Sequence, residues 1–199
     1  MSHTIAPEVP FRIAISDDKI SFLHRKLELA VFPDELENSG RDYGAPLADI
    51  QRLVARWKDG FDWRAQETKL NNDLPQFTRD IEVSGHGILS IHYVHKQSEI
   101  KNAIPLLFVH GCLFLFQSGS LIIRFLGPGS FIEVQKILPL LTATSDEHPS
   151  FHVVALSLPG YGFSEAPHKQ GFIGAQYAEV RSCNTVIRSS LPSARSGTS

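Results

Sequence analysis

The chain has 199 residues, the length of one ordinary domain, of which 42% are hydrophobic and 20% are charged. Its formal net charge is −2 at pH 7 and it contains no basic block, so the composition argues against a nucleic-acid partner. Two cysteines, Cys112 and Cys183, are too few for a disulfide framework or a metal cage, and we expect no metal and no cofactor.

Apolar residues at helical spacing predict three helices in the first part of the chain. They span about 16–32, 46–60 and 63–70, with proline and glycine at the boundaries. Trp57 and Trp63 fall in this region, and we expect both to be core residues. The alternative is that they line a ligand cavity.

After Pro75 the spacing of apolar residues changes from helical to extended. Residues 77–83 and 89–94 alternate by twos around G-H-G, which predicts a hairpin. Residues 105–109 and 151–156 are nearly continuous apolar runs, as in strands that are buried on both faces. A helix is predicted between them, starting after Gly129-Ser130. This order predicts an α/β sheet of four strands with an N-terminal helical extension.

Several side chains in and around these strands allow a functional and a structural interpretation. His92 and His95 are three apart on a predicted strand and point to opposite faces, so they cannot easily share a metal ion. Ser164 follows the turn L-P-G-Y-G-F, which predicts a hydrogen-bonding role in the turn and not a nucleophile. For Tyr161 and Tyr177 we expect packing or turn roles.

Four long motifs occur in order along the chain. They are W-K-D-G-F-D-W-R-A-Q-E-T-K-L-N-N-D-L-P-Q-F-T (57–78), I-P-L-L-F-V-H-G (104–111), P-G-S-F-I-E-V (128–134) and F-H-V-V-A-L-S-L-P-G-Y-G-F-S (151–164). Together they resemble the N-terminal region of microsomal-type epoxide hydrolases, including the soluble fungal members. The resemblance implies an α/β-hydrolase fold and an activity that converts an epoxide and water into a vicinal diol through an alkyl-enzyme ester.

The resemblance also implies a set of site residues. Family members have an H-G-x-P turn that supplies a backbone N–H to the oxyanion formed during ester hydrolysis. His110, Gly111 and Pro128 match this turn, and we expect His110 to anchor it. We find no nucleophile elbow between a predicted strand and a helix, so we assign no catalytic residue. We expect the chain to be an inactive, truncated first half of an α/β-hydrolase.

The two halves of the predicted turn are separated by residues 112–127, where the family has a single tryptophan. We hypothesise that this interval is translated intron. A TGT codon at Cys112 would contain the splice donor, a GGG codon at Gly127 would complete the acceptor, and joining T to GG would encode Trp. A TGC codon at Cys112 would exclude this hypothesis. The alternative is a genuine loop insertion over 112–126.

The domain organisation follows from these assignments. We expect a helical extension over 1–75, the first half of the hydrolase core over 76–180, and a disordered tail over 181–199 that no longer resembles the family. We expect a cytosolic location, because the first residues lack a signal-peptide pattern and no apolar run is long and uninterrupted enough to span a membrane. The resemblance implies a small-molecule epoxide as the ligand, and the oligomeric state stays open.

Two other function classes remain possible at this point. The first is a different α/β-hydrolase, such as an esterase or a dehalogenase, against which the motif at 57–78 argues. The second is a non-catalytic module that binds a partner through the apolar residues 112–126. A soluble chain that retained a bound partner would favour the second class.

Overall fold

A computed structural model describes residues 6–110, 115–117, 120–122, 129–145 and 147–183. In chain order the strands and helices are β1 (Val9–Phe11), α1 (Asp17–Glu28), α2 (Leu47–Asp59), α3 (Trp63–Asp73), β2 (Gln76–Val83), β3 (Gly87–Lys96), β4 (Ile104–Val109), β5 (Leu115–Gln117), β6 (Ser120–Ile122), α4 (Leu138–Thr142), β7 (Phe151–Leu156) and α5 (Gly174–Cys183). The described residues form two compact units. Ile13–Leu70 is the helical unit, and the residues on either side of it form the sheet unit.

The helical unit confirms the three predicted helices but not the predicted burial. Neither α1 nor α2 contains a buried residue. Trp57 is 47% exposed, so the prediction that it is a core residue is wrong. An apolar stripe is buried only when a second apolar surface covers it, and the described part of this unit leaves the stripe on α2 uncovered.

Glu67 of α3 is the main polar anchor of the helical unit. Its carboxylate accepts the Ile15 backbone N–H at 2.7 Å, an Arg64 guanidinium N–H at 2.6 Å and the Trp63 indole N–H at 3.3 Å. The bond from Ile15 does most to lower the pKa of Glu67, and Arg64 adds to that effect. The carboxylate therefore joins α3 to the segment that precedes α1.

The sheet unit contains one five-stranded sheet with the order β1-β2-β3-β7-β4. The first three pairs are antiparallel, and β4 runs parallel to β7. Four of these strands were predicted. The fifth strand, β1, was not predicted, because it is three residues long and pairs with the distant segment that begins at Gln76.

Apolar side chains cover both faces of this sheet. One face carries a cluster that α5 covers with Val180, and its fully buried members include Ile91, Tyr93 and Leu156. The opposite face packs against Phe131 and contains the ring of His92. Helix α5 continues to Cys183, three residues into the predicted tail, whereas 184–199 lie outside the described residues.

The segment between β4 and β7 differs from the single predicted helix. A 3₁₀ helix over Phe131–Val134 is followed by the short helix α4, which has a proline in its first turn. Within the predicted insertion, the backbone of β5 pairs antiparallel with that of β6. In the part of the chain that the structure describes, no helix is both long enough and apolar enough to cross a membrane.

Candidate functional site

Two loops meet at one edge of the sheet. Strands β4 and β7 are paired in parallel from Ile104 opposite Phe151 to Val109 opposite Leu156. Their carboxyl ends therefore lie side by side, at the edge where α/β sheets usually place their functional loops. His110 follows β4 at this edge, and the Leu158 backbone N–H donates a hydrogen bond to its Nε2 at 3.3 Å. That bond joins the two loops directly.

His110 is 2% exposed, and its ring packs edge-on against Tyr161 with centroids 5.6 Å apart. Burial lowers the pKa of this histidine, while the nearby Glu133 acts in the opposite direction. Because Nε2 accepts a hydrogen bond, a neutral His110 carries its proton on Nδ1. Its environment is that of a neutral side chain that joins the end of β4 to the loop after β7.

A second buried histidine, His92 of β3, belongs to a polar network on one face of the sheet. Its Nδ1 lies 2.8 Å from the Ser157 hydroxyl, and its Nε2 lies 3.1 Å from the Gln76 side-chain oxygen. An amide oxygen can only accept, so Nε2 carries the proton and the Ser157 hydroxyl donates to Nδ1. Desolvation by burial lowers the pKa of His92 to about 4.

Three aromatic rings surround this imidazole. The rings of Phe131, Phe11 and Phe163 lie 4.7, 4.9 and 5.4 Å from that of His92, each in an edge-on arrangement. Phe131 starts the 3₁₀ helix that follows the second half of the predicted turn. The network therefore forms a floor beneath the loop that follows β7. Sequence reasoning missed it, and the only signal was one histidine among alternating apolar residues.

The loop after β7 closes tightly over this floor. Gly162 has φ +56°, and a Cβ at this position would lie 2.9 Å from the Ser157 hydroxyl. The Ser164 hydroxyl donates to the Ser157 carbonyl at 2.7 Å and accepts the His92 backbone N–H at 2.9 Å. These bonds confirm the turn role predicted for Ser164 and show that both its donor and an acceptor site are occupied.

A capping box orders the segment that follows the predicted turn. The Ser130 hydroxyl accepts the Ile132 N–H at 3.3 Å, and Glu133 accepts the Ser130 N–H at 3.1 Å. A Cβ at Gly129 would lie 1.8 Å from Oε1 of Glu133, so a side chain at this position would displace the Glu133 carboxylate from the box.

Of the three predicted turn residues, His110 is the one that the structure places. Gly111 and Pro128 lie outside the described residues. The role of all three in an oxyanion-binding turn therefore stays a prediction.

The two tyrosines of the sequence analysis lie near this edge. Tyr161 is 38% exposed, and the Tyr177 ring packs edge-on against Phe172 with centroids 4.9 Å apart. Burial is the main cause that raises the pKa of Tyr177, and Tyr161 contributes. These contacts fit packing roles. Within the described ranges, no group of three or more His, Cys, Asp or Glu side chains could hold a metal ion.

The other histidine of β3 belongs to a separate cluster on the opposite face of the strand. His95 Nδ1 lies 3.0 Å from a carboxylate oxygen of Glu8, and the Tyr93 hydroxyl donates to the same oxygen at 2.9 Å. Burial, followed by the bond to Glu8, raises the pKa of Tyr93. His92 and His95 therefore face different surroundings, which confirms the prediction that they point to opposite faces of the strand.

Residues 40–44, G-R-D-Y-G, match G-x-D-x-G, the pattern of a nucleophile elbow that carries an aspartate. Asp42 lies in a run of turns between α1 and α2, where it is exposed and follows no strand. A nucleophile elbow needs a strand before the acidic residue and a helix directly after it. This match has no such context, so Asp42 is not assigned as a nucleophile.

Comparison with known proteins identifies the family of this chain. Residues 8–114 match the family model described as epoxide hydrolase N terminus. Epoxide hydrolase 1 of Sus scrofa is 37% identical over 180 residues, which cover 86% of this chain and 35% of that protein. Juvenile hormone epoxide hydrolase 2 of Ctenocephalides felis is 34% identical over 175 residues, which cover 86% of this chain and 33% of that protein.

Solved structures agree with the sequence matches. The juvenile hormone epoxide hydrolase of the silkworm Bombyx mori superposes with a TM-score of 0.74 at 25% identity, covering 92% of this chain and 39% of that one. The Aspergillus niger epoxide hydrolase superposes with a TM-score of 0.67 at 28% identity, covering 92% and 43%. The chain thus spans about a third of the length of its curated relatives. Its sheet has the α/β-hydrolase fold, and the chain belongs to the epoxide hydrolase family.

Proposed function

We propose that this chain supplies the first part of an epoxide hydrolase, whose reaction adds water to a small-molecule epoxide through an alkyl-enzyme ester. In this proposal the segment after β4 forms the turn that stabilises the oxyanion during ester hydrolysis. The observation that carries the proposal is the bond from the Leu158 N–H to His110, which joins the end of β4 to the loop after β7. Backbone donors stabilise an oxyanion only when they are held in place beforehand.

The reaction needs groups that we assign to none of the described residues. An aspartate at an elbow, proton donors for the ring oxygen and a base for the ester water are all required. We therefore expect the 199 residues alone to leave an aryl epoxide unchanged relative to buffer. A cytosolic location also stays a prediction from the sequence.

A pair of assays tests the proposal. The first incubates the purified chain with an aryl epoxide and measures diol by chromatography, and we expect none above the buffer background. The second replaces the matching segment of the Aspergillus niger enzyme with residues 10–180 of this chain, after 112–127 have been exchanged for one tryptophan. We expect that chimera to form diol.

The chimera has a matched control that isolates the anchoring role of His110. We expect His110→Gln, whose side-chain oxygen can accept the Leu158 N–H, to retain more activity than His110→Ala. Diol formation by the unmodified chain, or a folded chimera that hydrolyses esters or haloalkanes but no epoxide, would contradict the proposal.

A further inference from the structure

An open groove lies within the helical unit. It has a volume of about 770 Å³ and is lined by α1, α2 and the residues that lead into α3. Most of its lining is apolar and includes Ile20, Leu23, Ile50, Leu53, Trp57 and Trp63. We call it the helical groove. Its volume falls in the range of sites that bind small molecules, about 300–1,000 Å³.

The apolar faces of α1 and α2 form the walls of this groove. Neither helix buries a residue within the described structure, although both carry apolar residues at helical spacing. Burying such side chains is worth about 1.5–3 kcal/mol each, so a groove lined by several of them favours an apolar occupant.

The charged lining of the helical groove has one sign. Lys19, His24 and Arg56 line it together with the apolar residues, and none of its lining residues is an aspartate or a glutamate. Among the described residues, none of these three side chains forms an ion pair or a hydrogen bond. Lys19 and Arg56 are both exposed, so a negative charge placed beside them gains an attraction that solvent screens in part.

Other arginines of the helical unit have partners. Arg41 lies 2.7 Å and Arg52 3.6 Å from Asp49, and Arg64 lies 2.6 Å from Glu67. Among the described residues, Lys26 and Lys58 of the same helices also form no ion pair, so position is what distinguishes Lys19 and Arg56. They add positive charge to the apolar walls of a single concave site.

We propose that the helical groove binds an amphiphile that has a long apolar chain and one terminal carboxylate. The chain of such a ligand packs against the walls, and its carboxylate pairs with Lys19 and Arg56. This inference is independent of the proposed epoxide chemistry, because it rests on residues of the helical unit alone. It assigns a ligand class to Trp57 and Trp63, for which a ligand cavity was one of the two interpretations of the sequence.

The two tryptophans of the chain make the test direct, because both line the helical groove. Their fluorescence is measured while the 199-residue chain is titrated, below the micelle concentration, with dodecanoate, dodecanol or dodecylammonium. We expect a saturable change with dodecanoate and about tenfold weaker binding of the alcohol, since the alcohol lacks the charge interaction. The cation should bind most weakly. Equal affinities for the three compounds, or no change in fluorescence, would overturn the proposal.

A pair of double variants locates the site. Lys19→Glu with Arg56→Glu should weaken dodecanoate binding by about tenfold or more. Lys26→Glu with Lys58→Glu makes the same change in net charge on α1 and α2, but neither lysine lines the groove, so we expect wild-type affinity. If circular dichroism shows that the first double variant is unfolded, Lys19→Gln with Arg56→Gln replaces it. Equal losses in the groove and control variants would refute the assignment.

Discussion

His92 connects four segments of the sheet unit through one residue. Its ring contacts Gln76 of β2 and Ser157 after β7, and its backbone N–H donates to Ser164. Phe131 covers the ring from the segment that follows the predicted turn. A protonated imidazole would carry a hydrogen on Nδ1, so the Ser157 hydroxyl would have to accept instead of donate. Burial is what disfavours the charged form.

The stability of the chain should therefore depend on the protonation of His92. Its pKa is 6.5 in a model peptide and about 4 in the folded chain. Between these values the unfolded state binds the proton and the folded state does not, so the free energy of unfolding falls as the pH is lowered from about 6.5. The loss levels off below about pH 4 and amounts to about 3 kcal/mol in total. Urea unfolding at a series of pH values measures it.

Two variants separate this effect from the titration of other groups. His92→Gln should be less stable than wild type at pH 7 and should lose less stability between pH 6.5 and pH 5. His168→Gln removes an exposed histidine, whose side chain is 79% accessible, and should keep the wild-type pH dependence. An NMR titration that gave His92 a pKa near 6.5 in the folded chain would disprove the explanation.

For single residues, the sequence predicts roles that depend on a local motif but not roles that depend on distant partners. His110 and Ser164 lie in recognisable local motifs, and the structure places His110 against Leu158 and Ser164 in turn hydrogen bonds. The network around His92 depends on partners such as Ser157, which is 65 residues away along the chain. No local pattern encodes such a pairing, because it arises only when β3 and β7 come together.

At the scale of elements, β1 depends on one carboxylate that lies just before it. Glu8 accepts hydrogen bonds from Tyr93 and His95, both on β3, which is not adjacent to β1 in the sheet. Three backbone pairs with β2 and the packing of the Phe11 ring against His92 and Phe163 are further described attachments of this strand. So short an edge strand gains little from its own ladder, so we expect Glu8 to contribute much of its attachment.

Glu8→Ala should therefore release β1 and destabilise the chain. The change leaves the buried Tyr93 hydroxyl without its acceptor, and we expect the free energy of unfolding to fall by about 1–3 kcal/mol. Hydrogen exchange should show faster exchange at Val9–Phe11 than in wild type. Glu99→Ala changes an exposed glutamate after β3 and should have no effect. Unchanged exchange at β1 in Glu8→Ala would refute this role.

Prediction of the elements succeeded where the signal was local. Alternation and glycine placement predicted the β2–β3 hairpin, and apolar runs predicted β4 and β7. β1 was missed because three residues carry no periodicity. The burial of Trp57 was predicted wrongly because spacing shows which side of a helix is apolar, but not whether anything covers that side.

At the scale of the whole molecule, the interval 112–127 interrupts the turn on which the proposed function depends. Replacing it by a single tryptophan would give the continuous motif H-G-W-P-G-S-F. If the interval is translated intron, this variant should have a higher free energy of unfolding than the parent chain, because a long loop costs closure entropy and this one is apolar. Urea unfolding measures the free energy, and binding of an apolar dye measures the exposed apolar surface.

A loop of glycine and serine with the same length as 112–127 is the control, since it keeps the length of the connection and removes both the apolar side chains and the β5–β6 pairing. The genomic codons provide an independent test: TGT at Cys112 and GGG at Gly127 fit the intron hypothesis, whereas TGC at Cys112 excludes it. A tryptophan variant less stable than the parent chain would favour a genuine insertion.

The strand order determines how long β3 must wait for its neighbour β7 while the chain is synthesised. β3 ends at Lys96, and its neighbour β7 begins only at Phe151. At about 5–20 residues per second, the nascent β2–β3 hairpin waits ~3–11 s with Tyr93–Lys96 of β3 unpaired on the side that β7 will occupy. An unpaired strand edge next to apolar residues is a point of aggregation, so chaperone demand should be greatest in this interval. Any codons spliced out between β4 and β7 would shorten the wait in proportion.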